Sequence, residues 1–317
     1  MVHHLPKSIR RRHGFTLVEL LVVIAILAIL ASLVSMGAFV MVGRRHANNT
    51  QATIRVINKL MQDRWTAVIA DSRKEAPSQL VLTLAGNDPE RAKVIWTKVR
   101  LAEAFPISYR EMDPADANTI VNKYIPAGRL KPHFTKYRAT ITIYPAVPGK
   151  TESSACLLMA LSTLGSGGGV SVPDHLNYAI SDTDNDTVPE FIDSWGNPLA
   201  FFRFPWNNTD LQGANPAPAG SKNAKFADPI DNGGTLLNKT WYQSGSRLTF
   251  EAQFLQSVNW PNQAAGATPT QATFVIPVIV SAGPDGQLGL NADLSKIPPA
   301  PTNFETDNIY SYKLKGD

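Results

Sequence analysis

RRRHGFTLVELLVVIAILAILA, residues Arg10 to Ala31, sets a basic leader, one glycine and a long apolar run around a single acid, Glu19. From Phe15 to Val42 that acid is the only charged side chain. About 20 apolar residues suffice to cross a bilayer as a helix, so this segment reads as a membrane span. A carboxylate near the start of a span is costly unless it has a partner, and the cheapest partner is a nearby cation. Cleavage between Gly14 and Phe15 would create an α-amino group four residues from Glu19, close to one helical turn away. A neighbouring copy could supply the same amine. An ordinary secretory signal has an apolar core of about 7 to 15 residues and a small-residue cleavage site, which this longer run does not fit. A plain uncleaved anchor accounts for the apolar run equally well but leaves Gly14 and Glu19 as coincidences.

Composition gains meaning once the leader is set aside. The chain has 30 basic and 26 acidic residues, and Lys7, Arg10, Arg11 and Arg12 lie in residues 1–14, which hold no acid. The remainder carries 26 of each sign and is nearly neutral, so the basic pI belongs to the leader and no nucleic-acid partner follows from it. Four cations before the span against Arg44 and Arg45 after it place the leader in the cytoplasm and the bulk outside. The single cysteine, Cys156, sits in an apolar run and reads as a small buried thiol, with no intramolecular disulfide possible.

Beyond the span, Ile54, Ile57, Met61, Trp65 and Val68 continue at helical spacing, and the first proline after Phe15 is Pro77. One helix of about 55 residues, from Phe15 to about Ala70, is expected, its second half packed under a head. Helices are also read over Asp88–Ala104, Asp113–Ile125 and Glu152–Leu164, with strands over Tyr137–Tyr144, Leu199–Phe204 and Thr273–Ser281. The glycines at 165–169 read as a helix exit, since no Lys-Ser/Thr pair follows them to cradle a phosphate. Residues 207–234, rich in Asn, Pro, Ala and Gly, read as a long loop. Of the six histidines only His133 and His175 fall in the head, and no Ser-His-Asp or paired-carboxylate constellation stands out. No enzymatic activity is expected.

The stretch SDTDNDTVPEFIDSWGNP, Ser181 to Pro198, is the second informative segment. Asp182, Asp184, Asp186, Glu190 and Asp193 fall at positions 1, 3, 5, 9 and 12 of a calcium loop, a spacing that lets alternate carboxylates converge on one hard cation. Position 6 holds Thr187 where such loops favour glycine, and Pro189 follows closely. Two readings stand: a calcium loop, and a solvated acidic turn.

GFTLVELLVVIAILAILA, Gly14 to Ala31, resembles the N-terminal signal of type IV pilins and type II secretion pseudopilins. That resemblance implies a prepilin peptidase that cuts after Gly14 and methylates the amine of Phe15, with Glu19 pairing to that amine on an adjacent subunit. The pattern Ile192 to Pro198, with Trp195-Gly196-Asn197-Pro198, resembles the D-x-WG-x-P signature of the major pseudopilin, in which Trp195 reads most simply as a core residue. SAGPDG, Ser281 to Gly286, together with Asp307-Asn308, resembles that protein's C-terminal calcium loop. By residue matching the ligands there would be Asp285 and Asp307, with Asp293 a third. The intervening stretch has fewer acids than the family pattern, and Asp285-Gly286 also fits an ordinary turn.

The resemblance covers residues 10–70, 190–204 and 273–312 and leaves 71–180 unexplained. It implies an α+β fold: a leader (1–14), a transmembrane and assembly helix (15–70), a variable head region (71–180) and a C-terminal β region with acidic loops (181–317). The function it implies is a pseudopilin of a type II secretion system. Such a subunit is anchored once in a bacterial inner membrane with its head in the periplasm, where structural calcium would hold the loops. Its partners would be further copies, other pseudopilins, the prepilin peptidase, the inner-membrane secretion platform and, before assembly, the lipid bilayer. A type IV or competence pilus subunit shares the signal, and a membrane-anchored enzyme or binding module is a third reading.

Overall fold

Thr16 and Glu19 start the first element between them. The Thr16 hydroxyl accepts the Glu19 N–H at 3.2 Å, and Glu19 Oε2 accepts the Thr16 N–H at 2.9 Å. This reciprocal capping box satisfies two donors that a helix start otherwise leaves free. The helix it opens, α1, runs Leu17–Ser72. In the computed structural model the described residues are 16–113, 116, 119–125, 150–162, 174–205, 228–237, 241, 276–290 and 306–314. The expected strand over 137–144 and the glycine run at 165–169 lie outside them, as do Gly14, Phe15 and Asp293.

The chain divides into two compact units, residues 1–45 and 46–317. In the first, α1 is long and apolar enough to cross a membrane, and its side chains are exposed, Leu17 by 80% and Val34 by 73%. An apolar surface of this extent requires lipid or other apolar helices around it.

In the second unit the stripe read from the sequence faces the core. Ile54, Ile57 and Met61 are fully buried, Trp65 nearly so, and Val68 packs at the edge. Each such side chain contributes roughly 1.5–3 kcal/mol of burial. Among the described residues five shorter helices follow: α2 (Gln79–Leu84), α3 (Pro89–Ala104), α4 (Tyr109–Met112), α5 (Ile120–Tyr124) and α6 (Lys150–Ser162). Asp88 caps α3, its Oδ1 accepting the N–H groups of Glu90 and Arg91, with Pro89 at the first helical position. The single helix expected over Asp113–Ile125 is instead α5 alone. Its start is set by Thr119, whose hydroxyl accepts the Asn122 N–H, and α4 ends before Asp113.

Among the described residues two antiparallel sheets complete the α+β architecture. Strands β1 (Ile180–Ser181) and β2 (Glu190–Phe191) form a hairpin in which Ser181 pairs with Glu190. Strands β3 (Ala200–Phe202), β4 (Val278–Ser281) and β5 (Ile309–Tyr310) form a three-stranded sheet with β4 in the middle. β4 is buried along its whole length, as a central strand covered on both faces should be.

The residues left unexplained by sequence are fastened to this frame by buried charge. Arg203, just past β3, makes a bidentate pair with Glu111 of α4, Nη1 to Oε2 at 2.6 Å and Nη2 to Oε1 at 2.8 Å. Both residues are almost wholly buried. Lys98 of α3 pairs with Asp228 at 2.5 Å, so the described end of the 207–234 stretch packs against the head.

Candidate functional site

Three places carry the residues read as functional. At the first, Glu19 is exposed and its described contacts are to Thr16, through both the N–H and the hydroxyl at 2.9 and 3.0 Å. The structure therefore gives Glu19 a local role as a helix cap.

The second place is the turn of the β1–β2 hairpin. One carboxylate oxygen from each of Asp182, Asp184, Asp186 and Glu190 can be chosen so that all lie within 4.8 Å of one another. The loop holds this shape through its own acids: Asp182 Oδ2 accepts the Thr187 N–H at 3.0 Å and Asp186 Oδ1 that of Val188 at 2.8 Å. Asn185 and Thr187 take left-handed backbone conformations, φ 60° and 71°. Thr187 thus adopts the turn for which such loops prefer glycine, at a steric cost for a β-branched residue. Asp186 Oδ2 accepts the Tyr109 hydroxyl at 3.1 Å, which ties the loop to α4.

Glu190 is fully buried, and its Oε2 takes both the N–H and the hydroxyl of Thr183. Its Oε1 is buried without a hydrogen-bond partner. Burial is the main reason its pKa is pushed up to about 7, with the charges of Asp184 and Asp186 adding to it. Burial likewise raises Asp186 above the usual carboxylate range.

Asp193, read as the closing ligand of that loop, stands outside the group. Its Oδ1 accepts the N–H groups of Trp195 and Asn197, both at 2.9 Å, and its Oδ2 accepts the Ser281 hydroxyl at 2.6 Å. With both oxygens so engaged, Asp193 shapes the WGNP turn and straps it to β4. Trp195 is half-buried and lies 5.7 Å from the His46 ring, so it is a flank of α1 rather than a core residue.

The third place is the turn after β4. Asn197 donates from Nδ2 to the Gly283 carbonyl at 2.9 Å, so the WGNP and SAGPDG segments, far apart in sequence, meet. Gly283 has φ +68°, and a Cβ there would lie 2.7 Å from the Asp307 carbonyl oxygen and 2.8 Å from its Oδ2. Only glycine admits Asp307 this close. Burial, then the charge of Asp285, raises the Asp307 pKa, opposed in part by the backbone of Asp307 itself and then that of Asp285. Asp307 Oδ1 and Asn308 Oδ1 are both buried without partners. Asp285 and Asp307 are therefore brought together, and the orphaned acceptors around them fit a hard cation.

Residues 9–35 match the prokaryotic N-terminal methylation motif. The chain thus carries the N-terminal signal of type IV pilins and pseudopilins, which implies processing by a prepilin peptidase and polymerisation of the pilin kind. No curated protein and no solved structure matches the chain.

Proposed function

We propose that the chain is a pseudopilin of a type II secretion system, which leaves the bilayer after processing and polymerises through α1 into a periplasmic filament that drives protein export. The observation that carries the reading is the methylation motif at residues 9–35, followed by an apolar helix with exposed side chains. Released helices bury that surface against one another, because apolar area taken from lipid has no favourable home in water. The contact between the WGNP and SAGPDG segments favours secretion over a pilus, since both resemble features of the major pseudopilin. In this reading Asp285 and Asp307 hold a structural calcium, with Asp293 as a further ligand, and the head has no catalytic task.

Intact mass and N-terminal sequencing of chain recovered from membranes, with and without a prepilin peptidase, test the class. The expected product begins at methylated Phe15 only when the peptidase is present. Chain that keeps residues 1–14 in both hosts would make it a plain anchor. A strain lacking the chain should retain its exoproteins in the periplasm while still displaying surface pili; loss of pili with normal export would favour the pilus reading.

A further inference from the structure

We propose that the hairpin loop of Asp182, Asp184, Asp186 and Glu190 is a calcium site of its own, separate from the turn after β4, and that the ion clamps the loop over a small core containing Cys156. The four acids converge within 4.8 Å, and among the described residues none of them forms an ion pair with Lys or Arg. The independent observation is Glu190. Its side chain is fully buried, yet Oε1 has no donor, although Oε2 of the same group has two. An orphaned buried carboxylate oxygen costs free energy, and a cation held by the Glu190 carboxylate together with the three aspartates would recover it.

The donor set identifies the class of ion. All four ligands are carboxylates, with no imidazole or thiolate among them, which selects a hard cation over zinc or copper. Magnesium keeps most of its waters and uses one or two carboxylates in a strict octahedron, whereas calcium accepts a crowd of carboxylates in a flexible loop. Backbone carbonyls of the turn and water would complete the sphere.

The consequence reaches beyond the loop. Val188 of the loop is buried in one cluster with Tyr109, Met112, Ala155, Cys156 and Met159. Tyr109 also donates its hydroxyl to Asp186 and its N–H to Glu152, at 3.1 and 2.6 Å. The loop is thus the cover of this cluster and α4 its wall. Holding four carboxylates together with an ion keeps the cover shut.

Cys156 is the chain's single cysteine and is fully buried, so its labelling rate reports the cover directly in the unmodified full chain. In detergent, removal of calcium with a chelator should raise the rate of thiol labelling by about tenfold or more, because a buried thiol reacts only through the opened state. Calcium should restore protection and magnesium should not. Asp182→Asn/Asp184→Asn, exposed and nearly isosteric, should label fast in both conditions and bind one calcium fewer by equilibrium dialysis; Asp285→Asn should keep the protection. A labelling rate indifferent to calcium, or protection lost in Asp285→Asn and kept in the loop variant, would overturn the proposal. Terbium supplies a second readout that needs no loop variant: tyrosine-sensitised emission should fall in Tyr109→Phe, and unchanged emission would place the ion elsewhere.

Discussion

At the scale of single residues the head depends on acids that are buried for different reasons. Arg203 and Glu111 neutralise each other, and removing one leaves the other charged in the core. Arg203→Met should cost about 3–5 kcal/mol of stability, while Arg203→Met/Glu111→Leu should recover most of it. Denaturant melts of the four chains of that cycle check this. Glu152 differs, because its Oε1 accepts the Tyr109 N–H but its Oε2 is buried without a partner. Burial pushes its pKa up to about 7, with the charges of Glu111 and Asp186 adding to the shift and Arg110 and the Tyr109 N–H opposing it. A raised acid favours the folded state below its unfolded value near 4.5, and this contribution is lost as pH climbs through about 7. At fixed calcium, raising pH across that window should cost on the order of 1–3 kcal/mol through Glu152, and Glu152→Gln should flatten the slope of the melting midpoint. An unchanged slope would mean that Glu152 ionises in the folded state as it does in water.

At the scale of elements, the hairpin turn tolerates Thr187 at φ 71° because its acids hold the backbone. Thr187→Gly should relieve the strain and raise stability by about 1 kcal/mol, net of the freedom glycine adds to the unfolded chain. A lower midpoint in a thermal melt would show instead that the threonine side chain contributes more than the strain costs. The hairpin also shows how far a sequence can be read. Its carboxylate spacing was legible for Asp182, Asp184, Asp186 and Glu190, because alternation along a turn is a local property. Asp193 was not, since the position-12 rule presumes a helix after the loop and here strand β2 follows, turning Asp193 toward Ser281. The apolar stripe of α1 was legible from its period, as were α3 and α6. What periodicity could not give were pairings such as Arg203 with Glu111 or Asn197 with Gly283, which are set by which loops the fold brings together. The shared resemblance of the WGNP and SAGPDG segments to one family was the only available hint that they meet.

At the scale of the whole molecule, an exposed apolar helix beginning at a capped acid is a surface awaiting neighbours. Glu19→Gln should leave the head folded and the leader cleaved but reduce the chain recovered in sheared filaments by about tenfold or more, as when an intramembrane carboxylate loses its charge partner. Wild-type recovery in filaments would mean that Glu19 serves α1 as a cap alone. The core of the head has a kinetic side as well. Leu314 is buried in the same cluster as Ile54, with α3, α6, β3 and β4 contributing between them. Contacts so distant along the chain must wait for long loops to close, which slows folding. A partial chain that still lacks β4 and Leu314 lacks part of this core, so folding of the head is completed only once those late segments are made.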